Sequence, residues 1–119
     1  MQTKALKDLV VKALEGLKAK DVRVLDVVGR TAITDVMVFA SGTSDRHVKS
    51  LADSVVQEAK KAGVTPLGVE GERQGEWILV DLGDVVVHVM LPSVREFYNL
   101  EKLWSVASAQ EPLVRNAGD

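Results

Sequence analysis

Glu76-Trp-Ile-Leu-Val-Asp-Leu-Gly-Asp-Val-Val-Val-His-Val-Met-Leu-Pro92, continuing through Ser93-Val-Arg-Glu-Phe-Tyr-Asn-Leu-Glu-Lys-Leu-Trp104, reads as a β-hairpin followed by a helix. If Leu82, Gly83 and Asp84 supply an even-register two-residue turn, cross-strand pairing puts Ile78, Val80, Leu82, Val85, Val87 and Val89 on one side, which is wholly aliphatic. The other side carries Trp77, Leu79, Asp81, Val86, His88 and Met90. Large apolar groups mixed with one acid and one imidazole suit a surface that meets a partner.

Upstream, Leu6, Leu9, Val10, Ala13, Leu14 and Leu17 recur at helical spacing with lysines and acids between them, predicting an amphipathic helix from about Thr3 to Lys18. Val22 to Val28 is β-branched and ends at the Gly29-Arg30 turn, so it reads as a first strand, and Asp35 to Ala40 reads as a second. Ser41-Gly42-Thr43-Ser44 ends in N-cap chemistry, and Val48, Leu51, Ala52, Val55, Val56 and Ala59 then form a second amphipathic helix that stops at Gly63. Pro66 to Glu70 is a short third strand, the hairpin adds two more, Pro92 interrupts the ladder, and Val94 to Trp104 forms the last helix. The order helix, two strands, helix, three strands, helix fits an α/β sandwich: a mixed five-stranded sheet flanked by helices, in which only one crossover needs to be parallel. Residues 1–104 are expected to be one domain, and 105–119, which lose the periodicity, a mobile tail.

A chain of 119 residues with 46% hydrophobic and 27% charged residues is long enough to bury one core without disulfides or metal, and it has no cysteine to form either a disulfide or a thiolate zinc site. Neither a signal peptide nor a membrane-length apolar run is visible, so a cytoplasmic location is expected, with no membrane partner. A net charge of −2 makes counterion release from phosphates a small source of binding energy, so little direct nucleic-acid contact is expected. The charge is uneven. Residues 66–101 hold Glu70, Glu72, Glu76, Asp81, Asp84, Glu96 and Glu101 against Arg73 and Arg95, a net of −5, and an acidic half invites a basic partner.

Candidate chemistry is sparse. Asp35, Asp81 and Asp84 are the acids best placed for a divalent metal, but Asp81 and Asp84 bracket a turn, where Asp serves the backbone. His88 and His47 have no nucleophile at a useful spacing, so a hydrogen-bonded structural or interface role is expected for His88 and a capping or surface role for His47. The loop at Ser44-Asp45-Arg46 leads into a helix, where amides favour anions, but it lacks the Walker glycine and lysine, and N-capping is the stronger reading. Trp77 shares its strand face with Asp81 and His88, whose burial is costly unless both are paired, so a partner-facing indole competes evenly with a buried one. Trp104 is expected to pack.

Ile33-Thr34-Asp35, Gly42 to Val48, Gly68-Val69-Glu70-Gly71, Trp77 to Met90, and Phe97-Tyr98 through Leu100 to Trp104 resemble the ribosomal silencing factor, or Iojap-like, family. The resemblance spans nearly all of the chain before the last fifteen residues. It implies a nucleotidyltransferase-like α/β fold without that fold's catalytic acids. It also implies a non-enzymatic regulator, needing no cofactor, that binds a protein of the large ribosomal subunit at the intersubunit face and blocks joining of the small subunit when nutrients are scarce. Carried onto this sequence, the docking surface includes Trp77 and Leu82, with Asp81, His88 and Met90 as neighbours. Because parity puts Leu82 on the aliphatic face, its place in that surface requires Gly83 to bend the chain so that Leu82 stands exposed at the hairpin tip. A nucleotidyltransferase or phosphate-handling enzyme using Asp35, Asp81, Ser44 and Arg46 is the alternative. Self-association into a homodimer through the apolar strand face is a third expectation.

Overall fold

The computed structural model describes residues 1–32, 34–99 and 102. Its elements are α1 (Thr3–Gly16), β1 (Lys20–Asp26), β2 (Val36–Ser41), α2 (Asp45–Lys61), β3 (Gly68–Glu70), β4 (Trp77–Asp81), β5 (Val85–Met90) and α3 (Pro92–Tyr98). The five strands form one sheet in the order β1-β2-β5-β4-β3. Only β2 and β5 run parallel, with Val36 opposite Val85 and Ser41 opposite Met90; the other three pairings are antiparallel. The expected mixed α/β sheet with a single parallel pairing is therefore observed.

The main core lies between one sheet face and the two long helices. Leu6, Val10, Ala13 and Leu14 of α1 and Val48, Leu51, Ala52, Val55 and Ala59 of α2 pack on Val36, Val38, Ala40, Ile78, Val80, Val87 and Val89. This is the physical result of two 3.6-residue stripes meeting a period-two aliphatic face. Local chemistry fixes the helix ends. The Ser44 hydroxyl accepts the His47 N–H at 3.1 Å at the start of α2, and α2 closes with the Gly63 N–H on Lys60 and the Val64 N–H on Ala59. α1 closes the same way, with the Lys18 N–H on Glu15 and the Ala19 N–H on Leu14, although the left-handed position is filled by Lys18 at φ 61°. This closure leads directly into β1, which begins at Lys20 rather than Val22.

The hairpin register is the one parity requires: Trp77 faces Met90, Leu79 faces His88 and Asp81 faces Val86. At its tip the Leu82 N–H donates to the Val85 carbonyl at 2.9 Å, leaving Gly83 and Asp84 as the two turn residues. Gly83 has φ 90°, and its N–H is held by the Asp81 carboxylate at 2.9 Å. The reversal is thus completed beyond Leu82, whose side chain stays in strand register. At 6% exposure it belongs to the main core, which corrects the expectation that it protrudes from the tip.

Pro92 occupies the first turn of α3, where its missing N–H removes no bond, and Asn99 at φ 52° ends the helix after Tyr98. The expected helix reaches further, to Trp104; that extension, the packing assigned to Trp104 and the tail 105–119 lie outside the described residues, apart from Lys102. No helix among the described residues is long and apolar enough to cross a membrane.

Candidate functional site

The second sheet face is built from the mixed side of the hairpin and the adjoining residues of β2. Because Phe39 is opposite His88 in the parallel register, their side chains rise side by side, and the two rings stack with centroids 4.9 Å apart and planes 8° from parallel. Val27, Met37, Phe39 and Met90 make a small second core here, with Leu25, Trp77 and Val94 against it. α3 is fastened to this face by the Arg95 guanidinium, which donates to the buried Ser41 hydroxyl at 2.9 Å.

Five rings follow one another across this face. Phe39 is fully buried, His88 is 6% exposed, Trp77 is half-buried, Tyr98 is 54% exposed and Phe97 is 79% exposed. Trp77 lies 6.0 Å from His88 and 5.0 Å from Tyr98, and Tyr98 meets Phe97 edge-on at 5.0 Å. Such tilted and edge-on contacts are the arrangements aromatic quadrupoles favour. The Trp77 indole N–H donates to His88 Nδ1 at 3.1 Å. Since an indole nitrogen can only donate, Nδ1 is the unprotonated nitrogen and the imidazole is neutral. Burial has the same effect, lowering the His88 pKa from 6.5 to about 4.

Two carboxylates share this face: Glu70 stands opposite Leu79, and Asp81 lies two residues further along β4, while Glu96 immediately precedes Phe97 in α3. Among the described residues none of these three carboxylates forms an ion pair. The entry to β4 is held by Gly71, where a Cβ would collide with the Trp77 carbonyl oxygen, and by the Gly75 N–H bonded to the Gly71 carbonyl at 3.1 Å. A close backbone approach of this kind admits only glycine.

Of the five residues expected to meet a partner, Trp77 and Asp81 reach the surface. His88 and Met90 lie buried on the same face, and Leu82 is in the opposite core. Tyr98 and Phe97, by contrast, are the most exposed members of the aromatic series, and the sequence marks them only as part of the last helix and of the family resemblance. Nothing in their spacing marks them out, since the successive pairs Ala13-Leu14 and Leu51-Ala52 are both buried; their exposure is set by how α3 packs on the sheet.

The residues of the enzymatic alternative are not brought together. The Asp35 N–H bonds to the Asp84 carbonyl at one end of β2, while Ser44 and Arg46 follow its other end, roughly 17 Å away along the strand. Asp81 caps Gly83 and the Asp84 carboxylate accepts from the Thr3 hydroxyl at 3.2 Å, so both acids serve the turn and its surroundings. His47 is a pin: its Nδ1 accepts the Thr43 N–H at 2.9 Å, and its Nε2 lies 2.8 Å from the Leu17 carbonyl at the end of α1. No group of three or more potential metal ligands occurs among the described residues.

A family model described as "Ribosomal silencing factor during starvation" matches residues 1–118. Ribosomal silencing factor RsfS of Chromobacterium violaceum is 49% identical over 104 residues, covering 87% of this chain and 85% of that protein. The mouse protein named mitochondrial assembly of ribosomal large subunit protein 1 is 36% identical over 115 residues, covering 94% of this chain and 50% of the mouse protein. A crystal structure of a Chromobacterium violaceum protein, 48% identical, superposes with a TM-score of 0.87 over 88% of each chain.

Proposed function

Because the chain belongs to the ribosomal silencing factor family, we propose that it acts by occupancy: it docks on a basic protein of the large ribosomal subunit at the intersubunit face and excludes the small subunit. Translation is thereby repressed in the cytoplasm when nutrients are limiting, with no bond made or broken and no cofactor. The observation that carries this reading is the graded aromatic series from buried Phe39 to exposed Tyr98 and Phe97, with Glu70 and Asp81, which form no ion pair among the described residues, on the same sheet face. Exposed aromatic area anchored to a rigid sheet is the composition of an interface hot spot, and these carboxylates favour encounter with a basic surface. The name of the mouse relative, mitochondrial assembly of ribosomal large subunit protein 1, supports a connection with the large subunit.

Trp77 and Tyr98 would be the central anchors, Asp81 and Glu70 the charged rim, and His88 and Met90 the floor beneath. Leu82 would contribute through the core that supports the hairpin. The direct test is cofractionation of the purified protein with isolated large subunits, followed by addition of small subunits on a sucrose gradient. The wild type is expected to sediment with large subunits and to deplete the joined particles. Trp77→Ala should weaken docking by about 2 kcal/mol or more while leaving the fold intact. Joined particles forming normally in molar excess of the protein would end the proposal.

A further inference from the structure

Resting on the docking role proposed above, we infer that His88 is a positioning residue: without touching the partner, its imidazole holds the Trp77 indole in the orientation the partner meets. Three observations lead there. His88 is itself buried, so it offers almost no surface of its own. Its ring is immobilised from below by the parallel stack on Phe39, which is fully buried in the centre of the sheet. Its Nδ1 accepts the only polar hydrogen of the indole at 3.1 Å.

The consequence concerns both geometry and chemistry. A half-buried indole with a free N–H would turn to find an acceptor in water or on the backbone, and each such rotamer would have to be given up on docking. With the N–H engaged inward, the ring has one favoured tilt, with Tyr98 against it at 5.0 Å. The indole then presents carbon faces and edges but no donor. The partner group that covers it is therefore aliphatic or cationic, matched to the apolar ring and the neighbouring carboxylates, rather than a hydrogen-bond acceptor.

Two substitutions at His88 separate this role from simple packing. His88→Phe keeps a ring on Phe39 and removes the acceptor; His88→Asn removes the ring and keeps an acceptor close to the Nδ1 position. The full-length proteins are compared by cosedimentation with isolated large subunits and by the indole N–H resonance of Trp77, identified by its absence in Trp77→Phe. If His88 positions the indole, His88→Phe moves that resonance toward the solvent-exposed value and weakens docking roughly 3- to 10-fold, the cost of ordering one side chain. His88→Asn should then remain nearer the wild type in both measurements. The opposite ranking, with His88→Phe docking like the wild type and His88→Asn impaired, would overturn the inference by showing that only the stack matters. Should His88→Phe not fold, Trp77→Phe, which deletes the donor from the other side, is decisive: unchanged docking in that variant also overturns it. Failure of the wild-type protein to bind large subunits would refute the docking role instead, and the resonance would still report the hydrogen bond.

Discussion

Acidification should destabilise this fold through His88. In the folded protein burial holds the His88 pKa at about 4, against 6.5 for an exposed histidine, and its nearest strand neighbours, Phe39 and Leu79, carry no charge to offset that effect. The folded-state pKa lies below the unfolded one, so between the two values the unfolded chain binds the extra proton. The contribution is thus fully present above about pH 6.5 and is lost as pH falls toward 4. At about 1.36 kcal/mol per unit, the loss is about 1.4 kcal/mol near pH 5.5, about 2.5 kcal/mol near pH 4.5 and about 3.4 kcal/mol in full. Protonation of Nδ1 would also break the bond from Trp77, so in the folded protein the indole should be released only as pH falls through about 4. Urea unfolding of the wild type and of His88→Asn at matched pH values isolates this single group, because every other titration is common to both. The stability difference between the two proteins should narrow, or reverse in favour of the variant, as pH falls from about 7 to about 4.5. Parallel pH dependence in the two proteins would refute the reasoning.

Three further outcomes follow from the packing. Leu82→Ala should lower unfolding free energy by about 2–5 kcal/mol in denaturant titration, since Leu82 lies in the main core rather than at an exposed tip; a surface-like change below about 0.5 kcal/mol would contradict its placement. Lys18→Gly should raise stability by roughly 0.5–1 kcal/mol, visible as a higher Tm, because Lys18 holds a left-handed conformation that costs a side chain energy. Gly71→Ala should be destabilising by at least about 2 kcal/mol in the same titration, because its φ is 89° and the added methyl meets the Trp77 carbonyl; the entry to β4 must then shift, and docking should weaken with it.

Much of the candidate surface was legible before folding was considered, because a hairpin with a fixed register sorts its residues by parity alone. Trp77, Asp81, His88 and Met90 fall on one face in the sequence and do so in the structure. Leu82 shows the limit of that reasoning. Its parity assigns it to the core, while the family resemblance places it on the docking surface, which requires a bent tip. The turn rules out such a tip, because Gly83 and Asp84 complete the reversal and the Asp81 carboxylate secures it. The Phe39–His88 stack was not legible, since the two residues are 49 positions apart and meet only through the β2–β5 parallel pairing. The Trp77–Tyr98 contact likewise depends on where α3 crosses the sheet, a matter of packing rather than periodicity.

Two periodicities and a few turn and cap residues therefore determined, from the sequence alone, the elements, the aliphatic layer and the mixed layer of this protein. Tertiary structure decided which members of the mixed layer remain at the surface. Burial is a property of how strands and helices are stacked, and the covering of His88 and Met90 beside an accessible Trp77 is set by neighbours far away in the chain.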